Sequence, residues 1–259
     1  MGRPALLRGM TAIAAAAVVF CASTTVAPAG VFPRYGAGCS RADFASSGTS
    51  VRAELCRARS SGGRVVVVLH GCGGFSTFDH RLVSELPRYG ISTLAVDFFG
   101  PTPPFGHRGF CGGSGRGGAD PFPVWIKVAQ DAAASLRATR GVDPAGVGVV
   151  GWSLGGAVAL AAAQGPKQQR PFDAVAGFST GSFGDRGGSR VQLPPTILLS
   201  AGVTDAIPLA DTLPLYQALR AAHIPSALYV YPRGSHNWPR GQGTLGIEHA
   251  AAFLHRFLR

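Results

Sequence analysis

The stretch that decides the fold covers residues 147–163 and reads Val-Gly-Val-Val-Gly-Trp-Ser-Leu-Gly-Gly-Ala-Val-Ala-Leu-Ala-Ala-Ala. Its first four residues are short and apolar, as in a strand that is buried on both faces of a parallel sheet. The alanine-rich run from Leu154 to Ala163 favours a helix. Between them, Ser153 is the centre of a Gly-x-Ser-x-Gly pattern, which is typical of a tight turn from a strand into a helix. The stretch therefore predicts strand, turn and helix in that order.

Strand-like and helix-like segments alternate from Arg64 to the C-terminus. This alternation predicts an α/β fold, with a mostly parallel central sheet and helices on both faces. Before this region, a hairpin is predicted from Asp43–Ala45 and Val51–Arg57. The Gly- and Pro-rich residues 100–120 are predicted to form a long functional loop. The other predicted strands are Arg64–Leu69, Ile91–Val96, Phe172–Phe178, Thr196–Ser200 and Ala227–Tyr231, and the other helices Phe78–Pro87, Val124–Arg140, Leu209–Ala222 and Leu245–Leu258.

The N-terminal residues have the pattern of an export signal. Arg3 and Arg8 precede an apolar run, and Ala27-Pro-Ala29 fits a cleavage site. We therefore expect a signal peptide over 1–29, a linker over 30–42 and one domain over 43–259, in a periplasmic or secreted protein without stable membrane insertion. A retained N-terminal anchor is the alternative, although the apolar run is short for a membrane span.

The formal net charge is +11, which raises the question of an anionic partner. The arginines are scattered and form no dense basic run, so the sequence does not indicate nucleic-acid binding. We interpret the charge as a general arginine bias of the composition.

Four cysteines remain after the expected leader, namely Cys39, Cys56, Cys72 and Cys111. An even number behind an export signal favours disulfides, with three possible connectivities. We expect Cys39–Cys56 and Cys72–Cys111, because each pair ties neighbouring segments. A reactive thiol at Cys72 is the alternative reading of that residue, and the cysteine spacing does not favour zinc.

The Gly-x-Ser-x-Gly pattern occurs twice, which is unsurprising in a chain with 37 glycines. We call Gly151–Gly155 the first serine turn and Gly177–Gly181 the second serine turn. The first precedes a good helix, whereas the glycines within residues 182–190 make a helix after the second unfavourable. A nucleophilic serine of this type needs the helix, so we predict Ser153 as the nucleophile and the second turn as a loop at a strand end.

Serine becomes a nucleophile when a base takes its proton and a third group orients that base. His236 lies in a loop just after the last predicted strand, where such a base belongs. His249 and His255 fall within the closing helix, and His223 ends a helix. We therefore predict His236 as the base.

The acid is expected at a strand end between the serine and the histidine. Asp205 follows the predicted strand Thr196–Ser200 closely and is our choice, with Asp211 second. Asp173 begins a strand, at the wrong end of the sheet, and Asp185 lies in the glycine-rich loop.

Two backbone N–H groups are expected to bind the oxyanion. The first is that of Leu154, directly after the serine, and the second that of Cys72, in the loop His70-Gly-Cys-Gly-Gly74. His70, Trp152 and Trp238 are weaker candidates for contact with a substrate. No metal or cofactor is needed for this chemistry.

These motifs resemble the dienelactone hydrolase family of α/β-hydrolases over roughly residues 43–259. The resemblance rests on residues 65–74, 95–100 and 150–156, on the segment around Asp205, and on Gly-Ser-His236. It implies the α/β-hydrolase fold and hydrolysis of carboxylic esters. The namesake enzymes carry a cysteine at the turn and an acid after the first long strand. Ser153 and His70-Gly71 stand there instead, as in exported relatives that use serine.

The sequence thus predicts a serine hydrolase with a Ser153–His236–Asp205 triad, acting on a small-molecule or polymeric ester through an acyl-enzyme. One alternative is a polyester or cell-wall ester hydrolase, or a peptidase, of the same fold. Another is a catalytically inactive protein that binds a ligand of the cell envelope, because fold alone does not determine function.

Overall fold

The structure of the chain is a computed structural model. The structure describes residues 38–60, 62–102, 120–140, 146–181, 191–202, 205, 207 and 209–258. The expected leader, Cys111, Asp185 and residues 103–119 of the predicted long loop lie outside the described residues.

The main sheet has eight strands in the order β1-β4-β6-β5-β7-β8-β9-β10. From β6 to β10 every neighbouring pair is parallel, whereas β4 runs antiparallel to β6 and β1 antiparallel to β4. The strands are β1 (Cys39–Arg41), β4 (Ala53–Cys56), β5 (Arg64–Leu69), β6 (Ser92–Val96), β7 (Gly146–Trp152), β8 (Ala174–Phe178), β9 (Thr196–Ser200) and β10 (Ser226–Val230). This is the mostly parallel sheet that the alternation of segments predicts.

The described residues contain five α-helices, four between strands and one after the last strand, together with short 3₁₀ turns at Leu86–Tyr89 and Lys167–Gln169. The helices are α1 (Thr77–Glu85), α2 (Phe122–Ala138), α3 (Leu154–Ala162), α4 (Leu209–Ala221) and α5 (Arg240–Phe257). None of the helices in the described part of the chain is long and apolar enough to span a membrane.

The hydrophobic core has two halves, one on each face of the sheet. In β5, Val65 and Val67 pack with residues of α2 and α3, whereas Val66 and Val68 pack with residues of α1 and α5. Side chains alternate between the faces of a strand, so a β-branched run without polar interruption is suited to a sheet covered on both sides. The valines of Arg64–Leu69 are all buried for this reason.

The N-terminal region differs from the predicted hairpin. A small separate sheet pairs β2 (Phe44–Ser46) with β3 (Thr49–Val51), and Ser47-Gly48 forms the turn between them. The chain then passes through Arg52 into β4, which joins the main sheet. The predicted segment Val51–Arg57 is therefore divided between two sheets, because β4 finds its partner in the distant β6 and not in the local hairpin.

The residues around Cys39, which we expected to be part of a linker, form β1 at one edge of the main sheet. Cys39 lies opposite Cys56 in the register of β1 and β4, and the two are joined by a disulfide. This pairing confirms one of the two expected disulfides. The other rests on Cys111, outside the described residues, although Cys72 is itself disulfide-bonded.

The closing helix begins at Arg240 and not at Leu245 as predicted. Glycines at 241, 243 and 246 lower the local helix propensity, and for this reason the sequence predicts a later start of the helix. Packing with α1 outweighs propensity here, because the Arg81 guanidinium donates to Thr244 Oγ1 at 2.8 Å.

Candidate active site

Ser153 lies in the sharp turn between β7 and α3. Its backbone has φ 55° and ψ −119°, in the positive-φ region that non-glycine residues rarely adopt. The turn is held from both sides, since the Ser153 N–H donates to Phe178 O at 2.9 Å and Ala157 N–H donates to Ser153 O at 3.1 Å. A strained serine between a buried strand and a helix is the arrangement that presents a hydroxyl at the edge of an α/β sheet.

The glycines of the first serine turn are required by close backbone approach. A Cβ placed on Gly155 would lie 2.2 Å from Leu69 O, at the end of the neighbouring strand β5. A Cβ on Gly151 would lie equally close, 2.2 Å from Gly155 O. The turn therefore packs directly on main chain, which cannot move aside as a side chain can.

His236 lies in the turn that follows β10 and precedes α5. Its Nε2 is 3.1 Å from Ser153 Oγ, and its Nδ1 is 2.5 Å from Asp205 Oδ1. A carboxylate only accepts, so Nδ1 carries the proton and Nε2 is free to accept the Ser153 hydroxyl proton. The structure thus brings the three predicted side chains into one hydrogen-bonded line.

Trp152 supports the backbone of this histidine. Its indole Nε1 donates to His236 O at 2.8 Å, and its ring lies 5.3 Å from the imidazole, centroid to centroid. The side chain is mostly buried. Trp152, expected as a substrate contact, is here a residue that fixes the turn carrying His236.

Asp205 follows β9 and has a fully buried side chain. Burial alone would raise the pKa of Asp205, but hydrogen bonds from His236 and Ser179, the charge of His236 and the N–H of Ile207 together lower the pKa below its ordinary value. Ile207 N–H donates to Oδ1 at 3.1 Å, and the Ser179 hydroxyl donates to Oδ2 at 2.5 Å. The site therefore holds Asp205 as an anion in spite of its burial.

The rejected acids lie elsewhere. Asp211 is exposed in the first turn of α4, and its Cβ faces Gly181. Asp173 accepts from Val147 N–H at 2.9 Å, at the start of β7 and so at the opposite end of the sheet from Ser153.

The other downstream histidines also have roles away from the serine. His249 stacks on Tyr229 with the ring centroids 4.0 Å apart, and His255 contacts Tyr89 O. His223 is exposed at the end of α4.

The expected oxyanion donors lie in the first serine turn and in the loop that packs on it. Leu154 is the first residue of α3. Cys72 lies in the loop after β5, which is closed by a hydrogen bond of 3.1 Å from Gly74 N–H to Gly71 O. The carbonyl groups of Leu69 and His70 pack on Gly155, so this loop and the first serine turn are in direct contact.

Two of the expected substrate contacts are buried. His70 is 1% exposed, donates from Nδ1 to Gly71 O at 2.8 Å and stacks on Phe98. Trp238 is also 1% exposed and packs between Phe78 and Phe178. Neither side chain presents surface to a ligand in this structure. His70 instead orders the loop that carries Cys72.

Ser179 is the functional-site residue that sequence reasoning missed. We predicted the second serine turn to be a loop at a strand end, and its residues through Gly181 are indeed not helical. The Ser179 side chain nevertheless contacts Asp205. The repeated Gly-x-Ser-x-Gly pattern was the available signal. No group of histidine, cysteine and carboxylate side chains able to hold a metal ion occurs among the described residues.

Comparison with known proteins shows the family of the chain. The sequence model of the dienelactone hydrolase family matches residues 51–255. The chain belongs to the dienelactone hydrolase family. It is accordingly a hydrolase that acts on ester bonds. No curated protein matches the sequence.

Solved structures of several hydrolases have a similar fold. A dienelactone hydrolase-like promiscuous phosphotriesterase from metagenomic libraries is 17% identical, with a TM-score of 0.69 over 85% of this chain and 98% of that one. The dienelactone hydrolase of Anabaena variabilis is 19% identical, with a TM-score of 0.67 over 86% and 100% of the chains. An esterase of Pyrobaculum calidifontis is 16% identical, with a TM-score of 0.64 over 84% and 85%. The chain has the α/β-hydrolase fold that these proteins share.

Proposed function

We propose that this dienelactone hydrolase family member is a serine esterase in which Ser153, His236 and Asp205 form a catalytic triad. The observation that carries the proposal is the continuous line of hydrogen bonds, 3.1 Å from Ser153 Oγ to His236 Nε2 and 2.5 Å from His236 Nδ1 to Asp205 Oδ1. The three residues follow different strands of one sheet edge, and the serine comes first in chain order, as this fold requires.

The reaction begins when Ser153 Oγ attacks the ester carbonyl carbon while its proton passes to His236 Nε2. The anionic Asp205 stabilises the imidazolium that forms and keeps Nδ1 protonated. The negative charge on the carbonyl oxygen is stabilised by the N–H groups of Leu154 and Cys72. The intermediate then expels the alcohol, which takes the proton from His236, and the acyl group stays on Ser153.

Water completes the cycle. His236 Nε2 removes a proton from water, whose oxygen attacks the acyl carbon. The second tetrahedral intermediate releases the carboxylic acid, and Ser153 Oγ recovers its proton from His236. Every proton is carried by His236, so the residues of this chain suffice for the chemistry.

The substrate is a small-molecule or polymeric carboxylic ester that reaches the protein outside the cytoplasm. The sequence of residues 1–29 supports export, and the Cys39–Cys56 disulfide is compatible with an oxidising compartment.

The decisive experiment is labelling with a fluorophosphonate probe, which reacts with an activated serine. Wild type should be labelled and Ser153→Ala should not. Ser84→Ala is the matched control, because Ser84 is exposed on α1 and its hydroxyl donates within the helix to His80 O. Equal labelling of wild type and Ser153→Ala, or labelling of neither, would refute the assignment of Ser153.

The same proteins then distinguish the alternatives. A panel of p-nitrophenyl esters of rising acyl length, a polyester film and a peptide anilide separates an esterase from a polyesterase and a peptidase. Absence of labelling together with absence of turnover of all these substrates would favour a binding protein.

A further inference from the structure

The second serine turn contains a serine whose side chain is completely buried. Ser179 is 0% exposed, and its Oγ has two partners, Asp205 Oδ2 at 2.5 Å and Trp238 Nε1 at 2.9 Å. It therefore cannot act as a second nucleophile, because no substrate reaches it. Its contacts instead connect Trp238 to the carboxylate of Asp205.

The direction of both hydrogen bonds is fixed by the chemistry of the groups. An indole N–H donates only, so the Ser179 oxygen must accept from Trp238. An ionised carboxylate accepts only, so the single hydroxyl proton of Ser179 goes to Asp205 Oδ2. Because the Ser179 oxygen accepts from Trp238, the hydroxyl proton is directed to Asp205 Oδ2. Oδ1 of the same carboxylate is left for His236 Nδ1 and Ile207 N–H.

The backbone is also arranged for this contact. Ser179 has φ 42° and Trp238 has φ 48°, both in the left-handed region that residues with a Cβ rarely occupy. The Ser179 N–H donates to Leu199 O at 2.7 Å, and so ties the second serine turn to β9, the strand that precedes Asp205. Two strained residues that meet through their side chains beside a catalytic acid indicate a constraint of function.

We propose that Ser179, held by Trp238, is a positioning residue that orients Asp205 through Oδ2 and thereby keeps His236 aligned with Ser153. This inference rests on the proposed function of the triad. Without the Ser179 hydroxyl, the described residues provide no other hydrogen-bond donor to Oδ2. The carboxylate would then be held through Oδ1 alone, its orientation about the Cβ–Cγ bond would be less restricted, and the alignment of Nδ1 would loosen.

The experiment compares kcat and KM for p-nitrophenyl acetate in wild type, Ser179→Ala and Thr180→Val. Thr180 is the matched control, because it is adjacent and buried, and its Oγ1 has no hydrogen-bond partner. We expect Ser179→Ala to lower kcat about 10- to 100-fold with KM changed less than about twofold, because misalignment affects the chemical step. Thr180→Val should stay within about twofold of wild type in both constants.

A spectroscopic readout separates positioning from a general loss of structure. The proton on His236 Nδ1 should give a far-downfield NMR resonance in wild type and in Thr180→Val. In Ser179→Ala this resonance should move upfield or disappear by exchange with water. Trp238→Phe keeps the ring but removes the N–H donor, and should lower kcat by about three- to tenfold.

Ser179→Gly guards against a folding failure of the alanine variant, because glycine accepts the positive φ without strain. It should show the same loss of kcat. A kcat for Ser179→Gly and Ser179→Ala within about twofold of Thr180→Val would overturn the proposal. If Ser153→Ala keeps its activity, the triad itself is wrong, so the two failures are distinguishable.

Discussion

The two serine turns follow neighbouring strands, share the Gly-x-Ser-x-Gly pattern and hold their serines at similar positive φ, 55° for Ser153 and 42° for Ser179. Their hydroxyl groups nevertheless have different partners. Ser153 meets the imidazole of His236, and Ser179 meets the carboxylate of Asp205. The comparison teaches that this pattern specifies a backbone shape, while the surrounding strands determine the chemistry.

The two turns also differ in what packs on their glycines. At the first glycine of the pattern, a Cβ on Gly151 would meet the main-chain oxygen of Gly155 at 2.2 Å, whereas a Cβ on Gly177 would meet the side-chain methyl of Thr180 at 2.6 Å. At the last glycine, the nearest main-chain oxygen would lie 2.2 Å from a Cβ on Gly155 and 2.8 Å from a Cβ on Gly181. The first turn leads directly into α3 at Leu154, whereas Thr180 and Gly181, the last described residues of the second turn, are not helical. The first serine turn is thus more tightly constrained by rigid backbone than the second.

Asp205 is linked to both turns, directly through Ser179 and by way of His236 to Ser153. Its replacement should therefore have the largest effect on activity. We expect Asp205→Asn to lower kcat by about 10⁴-fold, because an amide cannot hold the imidazole in the reactive tautomer. Steady-state hydrolysis of p-nitrophenyl acetate measures this, with circular dichroism as the control for folding. A loss smaller than about tenfold would contradict the role of Asp205.

The difference between the glycines can be tested by adding one methyl group to each turn. Gly151→Ala should destabilise the fold by more than about 3 kcal/mol or prevent folding, because the backbone at Gly155 must move. Gly177→Ala should cost about 1–3 kcal/mol, since the Thr180 side chain can adjust. Urea unfolding of both variants measures the two costs. Equal losses would show that the turns are equally constrained.

Two buried carboxylates near the turns have opposite pKa shifts. Burial raises the pKa of Asp79 to about 6 although Ser76 donates to it, whereas the pKa of Asp205 is lowered. Protonated Asp79 stabilises the folded state fully below its unfolded value of 3.8, and this stabilisation is lost as the pH rises through about 6. Ionised Asp205 stabilises the fold above the ordinary carboxyl pKa, and its contribution is lost as the pH falls through its lowered value.

Asp79→Asn should therefore remove one component of the pH dependence of stability. Between about pH 4 and about pH 8, the free energy of unfolding of wild type should fall relative to that of the variant, by on the order of 3 kcal/mol at most. Asparagine loses part of the Ser76 cap, but this adds an offset that does not change with pH. Urea unfolding across the range measures the difference, and parallel curves for the two proteins would contradict the raised pKa.

The sequence was sufficient to predict that Ser153, Asp205 and His236 lie together at one edge of the sheet, because each follows a recognisable strand and the chain order is characteristic of the fold. It was not sufficient for Ser179. That contact joins residues 26 positions apart and depends on a backbone angle, and neither is visible in a local pattern. The burial of His70 and Trp238 was missed for the same reason, since packing on α1 and on Phe98 is a tertiary property.

The N-terminal strand illustrates a similar limit. Nothing local marks Cys39–Arg41 as a strand, because its hydrogen bonds come from β4, which was itself assigned to a hairpin. The start of α5 was missed because contacts with Arg81 outweigh the low helix propensity of its glycines.

The disulfide between Cys39 and Cys56 has a consequence for solubility. Within the described residues, β1 forms one edge of the main sheet, with β10 at the other, and β1 is only three residues long. An exposed sheet edge is a template for pairing with another chain, and short strands cover such edges. The disulfide holds β1 beside β4, whose residues are all buried. In a reducing cytosol the disulfide would be absent, and only the hydrogen bonds between β1 and β4 would keep β1 in place. Production in an oxidising compartment should therefore give less aggregation than production in the cytosol.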